Sequence, residues 1–389
     1  MINTQTILIV DDEVINRKVL IFALQKYHYR FLEAEDGLEG MNLVKNNPIN
    51  LIFLDLMMPK MDGFEFLEWI KTQEGYKNIP VIVNSALSDS HYIQKALNYG
   101  SFDYFTKPIK SDVLHFQLPL KVKNALNFYQ LLTEVIDKQR QLMEHNDYLK
   151  SELTLASELQ RALLPLKIPC QPGIRAAAFY NPSEQLGGDF YDIIPDQSGY
   201  RLLVADVSGH GTPSALLTSA IKSYFNNLVD EDYSPSIIMN RMNESLYRLM
   251  KETDYFVTGI YAELHREPYR LIISNAGHPL PLVYHPDSDC FESDRSMSYF
   301  LGISPDNVFT ETPINIETGD CILFYTDGII EARNAIKTQY GVDRLKDVLR
   351  KNYQLDPNRL IEQIMKDLDL FLDGVSSGDD ITLLVLKLD

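Results

Sequence analysis

Over the first 118 residues, short apolar runs alternate with stretches of helical period. The runs are TILIV (6–10), YRFLEA (29–34), LIFLD (51–55), IPVIVNS (79–85) and DYFT (103–106). Strand and helix in strict alternation predict an open, doubly wound parallel sheet of five strands with helices on both faces. In such a sheet, functional groups gather at the C-terminal strand ends. Residues 119–165 change pattern. They contain no glycine, and no proline separates Pro119 from Pro165. Apolar residues return every seven positions at Phe128, Val135, Leu142, Leu149, Ala156 and Leu163. The companion column is mixed: Leu131, Leu132, Gln139, Asn146, Leu153 and Leu159. This spacing predicts a long helix with a coiled-coil seam, and an asparagine in the seam would fix register at some cost in stability. A single surface helix packed on its neighbours is the plainer alternative. Residues 166–389 show a third pattern, with strand-like runs such as RLLVADVS, YFVTGIYAEL, YRLIISNAG, DCILFYTDG and ITLLVLKL. Helical stretches fall near 213–229, 235–252, 341–352 and 357–373. Neighbouring runs at 256–264 and 269–274 suggest antiparallel pairing, hence an α/β domain built on antiparallel sheets.

Composition narrows the function. The 389 residues carry 54 acidic against 36 basic side chains, a formal net charge of −18. That balance opposes a nucleic-acid surface, which needs clustered Lys and Arg. No run reaches the length of a membrane span, and no basic stretch leads into an apolar one at the N-terminus. The three cysteines, Cys170, Cys290 and Cys321, lie far apart and form neither a disulfide framework nor a metal spacing. A cytoplasmic protein without membrane or nucleic-acid partners is the expectation.

Two sets of acids stand at predicted strand ends. In the first, IVDDE puts Asp11 and Asp12 after strand one, LIFLDLMMPKMDG puts Asp55 after strand three, and FTKP puts Lys107 before Pro108. Clustered carboxylates need a hard cation such as Mg²⁺. A cation beside a carboxylate, with a lysine for a phosphoryl oxygen, suits phosphorylation of that carboxylate. Ser85 offers a hydroxyl to the same group. Helix capping would account for Asp12 alone, not for three separate strand ends. In the second set, LGGDFYD, VADVSGHG, FYTDGI and SGDDITLL each bring aspartate beside glycine at the edge of an apolar run. Four acidic segments are costly to gather without cations, and oxygen-only ligands favour Mg²⁺ or Mn²⁺. Two such ions about 3.5–4 Å apart can clamp an in-line phosphoryl transfer.

The first 118 residues resemble the CheY-like receiver domains of two-component response regulators. The resemblance implies that Asp55 is the phosphoacceptor and that Asp11, Asp12 and Asp55 hold Mg²⁺. It further implies that Ser85 and Lys107 contact the phosphoryl group, that Tyr104 is the switch aromatic and that Lys107–Pro108 is cis. Beyond residue 155 the motifs ASELQRALLP, GGDFYD, ADVSGHG, NAGHP, GDCILFYTDGIIEARN and DDITLLVL resemble the SpoIIE-like branch of type 2C (PPM) serine/threonine phosphatases. That resemblance implies two packed antiparallel sheets flanked by helices, with two Mn²⁺ or Mg²⁺ ions. Asp206 would bridge the ions, with the Val207 carbonyl on one of them. Asp189 would support the cluster, Asp327 and Asp379 would ligate the second ion, and Asp380 would assist. His210 would be a general acid, and His278 of NAGHP a structural residue of a turn. The insert at 292–300 departs from the branch's usual turn.

The expected organisation is a receiver (1–118), a helical coiled-coil linker (119–165) and a phosphatase domain (166–389). The expected partners are a cognate histidine kinase or phosphotransfer protein, a phosphoserine substrate of the STAS-domain anti-sigma-factor antagonist class, and a second copy of the chain bound through the linker helix. An adaptor with an inert phosphatase-like domain is the alternative. A transcription factor is disfavoured by the acidic charge.

Overall fold

The computed structural model describes residues 4–165, 167–169, 171–209, 211–231, 233–292 and 299–389. His210 and most of the 292–300 insert lie outside the described residues. The chain divides into two compact units, one ending at Asp147 and the other starting at Tyr148.

The first unit alternates β1 (Thr6–Val10), α1 (Val14–Leu24), β2 (Arg30–Ala34), α2 (Gly37–Asn46), β3 (Leu51–Leu54), α3 (Gly63–Thr72), β4 (Val81–Ser85), α4 (Ser90–Asn98) and β5 (Asp103–Thr106). The strands pair in parallel in the order β2-β1-β3-β4-β5. Strands β1, β3 and β4 are buried throughout, because helices cover both faces. Ile7, Ile9 and Phe53 face one helical layer, and Leu8, Val10, Ile52 and Leu54 face the other. The strand order reverses between β1 and β3, which puts the ends carrying Asp11 and Asp55 side by side.

A π-type turn at Val113–Gln117 leads into α5 (Leu118–Leu163). Leu118, Val122, Ala125 and Leu126 of this helix are buried against Ile7 and Phe53. The expected boundary between residues 118 and 119 therefore falls inside packed structure. The start of the helix completes the first unit's core, and the division comes at 147/148. Further along, Phe128, Val135, Leu142 and Leu149 of the heptad column are exposed.

The second unit contains β6 (Ile174–Asn181), β7 (Asp189–Pro195), β8 (Gly199–Val207), α6 (Thr212–Val229), α7 (Pro235–Met250), β9 (Val257–Arg266), β10 (Tyr269–Ala276), β11 (Leu282–His285), β12 (Cys290–Glu292), β13 (Thr312–Asn315), β14 (Cys321–Tyr325), α8 (Asp327–Glu331), α9 (Val342–Asn352), α10 (Pro357–Leu372) and β15 (Ile381–Leu388). Two antiparallel sheets form, in the orders β13-β10-β9-β8-β7 and β12-β11-β14-β15-β6. Leu202, Val204, Ile260 and Leu271 of the first sheet pack between the sheets with Ile322, Phe324, Leu384 and Leu386 of the second. Leu203, Ala205 and Tyr261, on the opposite face, pack under α6 and α7. Leu323, Leu383 and Val385 pack under α9 and α10. Each central strand is thus buried on both faces, which explains its unbroken apolar run. Among the described residues, no helix is long and apolar enough to cross a membrane.

Candidate functional sites

The first site lies at the C-terminal edge of the parallel sheet. Asp11, Asp12 and Asp55 each present a carboxylate oxygen within 4.8 Å of the other two. Asp11 and Asp55 are buried, while Asp12 is exposed. Lys107 Nζ lies 2.8 Å from Asp11 Oδ2 and also pairs with Asp55. Burial lifts the Asp11 pKa above the usual carboxylate range despite the contact with Lys107. Burial works to lower Lys107, but its bonds to Asp11 and Asp55 outweigh that and raise it. Ser85 is fully buried, and its hydroxyl has no protein hydrogen bond. The Tyr104 hydroxyl donates to the Leu87 carbonyl at 2.5 Å. The Lys107–Pro108 bond is cis.

Arg17, which no sequence motif singled out, is buried on α1. It donates from Nη1 to the Asp11 carbonyl at 2.7 Å and from Nε to Glu33 at 2.9 Å. It holds the chain at the turn that presents Asp11.

The second site sits where the two antiparallel sheets meet. Asp189 opens β7 and is the cross-strand neighbour of Asp206 on β8. Asp327 opens α8, directly after β14 and Thr326, while Asp379 and Asp380 lead into β15. The sheets are stitched together here. Thr326 Oγ1 and Thr382 Oγ1, from the second sheet, both donate to Asp189 Oδ2, at 2.7 and 2.6 Å. Thr382 N donates in turn to Thr326 Oγ1 at 3.0 Å.

The glycines before Asp189 explain that motif. A Cβ on Gly188 would stand 2.6 Å from the Val207 carbonyl. Only glycine lets this loop lie against β8 beside the oxygen expected to serve as a ligand. Gly187 is held by Gln160 of α5. Its N–H donates to Gln160 Oε1 at 3.2 Å, and Gln160 Nε2 donates to its carbonyl at 2.6 Å. Gln160 also donates to Thr218 of α6 at 3.2 Å. The end of the long helix thereby touches the loop that delivers Asp189.

The acids strain one another. Burial, then Asp327, Asp379 and Asp380, pushes the Asp206 pKa to about 7. Burial and Asp379 raise Asp327. Burial, followed by Asp206, holds Asp189 well above the carboxylate range, against the pull of the two threonines. Such mutual elevation is what an oxygen-lined cation site shows without its counter-charge.

Asp380 is bonded to the main chain of neighbouring loops. Its Oδ1 accepts from Ser183 N at 2.7 Å, and its Oδ2 accepts from Gly188 N at 2.5 Å. Oδ2 thus holds the glycine loop and Oδ1 the segment at Ser183, and each oxygen keeps a further lone pair. The neighbours of a triple-acid cluster in the first unit find no counterpart here: among the described residues, no three acids of the second unit come within 4.8 Å of one another. Gln160, Thr326 and Thr382 were given no role in the sequence, although they lie inside the quoted motifs ASELQRALLP, FYTDGI and SGDDITLL.

Both parts of the chain resemble known proteins. Residues 7–118 match the sequence profile of the response regulator receiver domain, and residues 196–389 match that of stage II sporulation protein E (SpoIIE). The second match begins after Asp189, so Asp189 and Gln160 rest on geometry. Phosphoserine phosphatase RsbU of Bacillus subtilis (strain 168) is 27% identical over 283 residues, covering 70% of this chain and 82% of that protein. Phosphoserine phosphatase RsbP of the same organism is 30% identical over 202 residues, covering 51% of this chain and 49% of its own. The SiaA-PP2C domain of Pseudomonas aeruginosa shares the fold, with a TM-score of 0.57 at 21% identity over 63% of this chain and 99% of that one.

Proposed function

We propose that this chain, a response regulator receiver followed by a domain of the SpoIIE family, is a metal-dependent protein-serine phosphatase controlled by phosphorylation of Asp55. The observation that carries the reading is that Asp189, Asp206, Asp327 and Asp379, from both sheets, stand close enough for their charges to act on one another, with Asp189 buried and Asp379 at the surface. Their oxygen-only chemistry, and the raised pKa values of Asp189, Asp206 and Asp327, fit divalent cations, Mn²⁺ or Mg²⁺. Asp206 and the Val207 carbonyl would bridge and ligate, Asp327 and Asp379 would complete the second position, and Asp189 would hold the cluster. When bound, two such ions supply an activated water and neutralise phosphoryl charge. The chain's own contribution is placement: the threonine stitch fixes Asp189, and Gly188 brings the Val207 carbonyl within reach. His210 is a candidate general acid for the leaving serine oxygen.

In the receiver, Asp11 and Asp12 would hold Mg²⁺ beside Asp55, while Lys107 and Ser85 would take the phosphoryl oxygens. The donor is a histidine kinase or phosphotransfer protein. The substrate is a phosphoserine protein, of the STAS-domain anti-sigma-factor antagonist class, and two relatives carry phosphoserine phosphatase names. The exposed column Phe128, Val135, Leu142 and Leu149 fits a second copy of α5. A cytoplasmic setting agrees with free thiols at Cys290 and Cys321.

The test is Mn²⁺-dependent hydrolysis of p-nitrophenyl phosphate by the full chain, beside Asp206→Ala and Asp327→Ala. Activity lost on chelation and in both variants is expected. Equal activity in the variants would refute the site, and a folded but inactive wild type would leave the adaptor.

A further inference from the structure

The NAGHP turn lies between β10 and β11, and its histidine touches the strand that pairs with the one carrying Asp206. Asn275 closes the turn on itself. Its Nδ2 donates to the His278 carbonyl at 3.0 Å, and its Oδ1 accepts from His278 N at 2.9 Å. Gly277, at φ 69°, bridges to Gly259 of β9 and lies against Phe300, where a Cβ would collide. The turn so fixed sends the His278 ring inward, to 4% exposure.

On one side, His278 Nδ1 lies 2.8 Å from Thr258 Oγ1. Thr258 is the cross-strand partner of Asp206. On the other side, the main chain of Tyr325 on β14 faces the ring, two residues before Asp327. Nε2 has no hydrogen bond of normal geometry. Burial drops the His278 pKa to about 3, so the ring is neutral at working pH. A neutral ring that accepts from the Thr258 hydroxyl at Nδ1 carries its proton on Nε2, toward Tyr325. A buried polar atom without a partner is costly, and an apolar residue here would remove that cost. The ring therefore has a role other than filling space.

We infer that His278 is a positioning residue: it lies between Thr258 of β9, which pairs across from Asp206, and the segment leading to Asp327, and so sets the site's affinity for a divalent cation. The inference rests on the metal-dependent reading given above. A residue that merely packs would change stability and leave metal affinity alone.

The test uses the full chain with Asp12→Asn in every protein, which weakens the receiver's own cation site. Mn²⁺ affinity is measured by titration calorimetry for the parent, His278→Gln, His278→Asn and Thr258→Val, with thermal unfolding in chelator to check folding. His278→Gln and Thr258→Val should weaken Mn²⁺ binding by about 10–100-fold, as loss of an outer partner does at other metal sites. Turnover of p-nitrophenyl phosphate should recover at saturating Mn²⁺. His278→Asn, whose amide can take the place of Nδ1, should lie between parent and His278→Gln. Affinities within twofold of the parent in folded variants would overturn the inference. If the histidine variants fail to fold, the near-isosteric Thr258→Val decides alone. A parent that binds Mn²⁺ but hydrolyses nothing would sink the phosphatase reading and leave the affinities to decide this one.

Discussion

At Asp189 a buried carboxylate is held by two threonine hydroxyls from the facing sheet. Replacing either threonine by valine keeps the shape and removes a donor. Thr326→Val and Thr382→Val should each cost about 1–3 kcal/mol, the penalty for leaving a buried acceptor short of a partner. Urea unfolding in chelator measures this, and a loss near zero would mean that Asp189 is already protonated and indifferent. The acids were legible in the sequence because aspartate beside glycine at the end of an apolar run is unusual. The threonines were not, since threonine in a strand is ordinary. His278 gives a pH signature. Its folded pKa, about 3, lies below its ordinary value of 6.5. The stability this site provides is therefore complete above pH 6.5 and is lost as pH falls toward 3, because the unfolded chain takes the proton first. The stability gap between wild type and His278→Asn should shrink from pH 7 to pH 5 in urea titrations. A constant gap would contradict the burial of a neutral ring.

Among the elements, α5 shows what periodicity can and cannot reveal. The seven-residue column gave the helix and its exposed apolar face. Its expected start at residue 119 lies one residue from the observed Leu118, but Leu118, Val122, Ala125 and Leu126 spend their helical spacing on the receiver core. Spacing alone does not say which partner a face meets. Strands β7, β12 and β13 escaped notice for other reasons. GGDFYD reads first as a glycine-rich turn, and β12 and β13 are short edge strands of three and four residues. The far end of α5 carries its own prediction. Gln160→Ala removes both contacts with Gly187, and turnover of p-nitrophenyl phosphate should fall by about 10–100-fold, with Mn²⁺ affinity falling alongside. Unchanged kinetics would detach the helix from the site. On the exposed face, Leu142→Asp should weaken self-association in sedimentation experiments, because a charge at a seam position opposes helix pairing. A dimer of undiminished affinity would place the interface elsewhere.

For the whole molecule, two sets of clustered carboxylates lie in two compact units, and the residues of a single helix are divided between them. Its first turns are built into the receiver core, and Gln160 near its end holds the loop before Asp189. Coupling between the Asp55 face and the acids of the second unit would require an element with two arrangements that both sites bias. The domain types were legible because each depends on charges at strand ends. The contacts of Gln160 were not, because they join residues 160, 187 and 218 across the fold. The most direct measurement of the central claim is the Mn²⁺-dependent rate on p-nitrophenyl phosphate with and without beryllofluoride, in wild type and in Asp55→Asn. The account predicts that beryllofluoride changes the rate or the Mn²⁺ requirement in wild type and leaves Asp55→Asn as it was. Identical rates in wild type with and without beryllofluoride would contradict it.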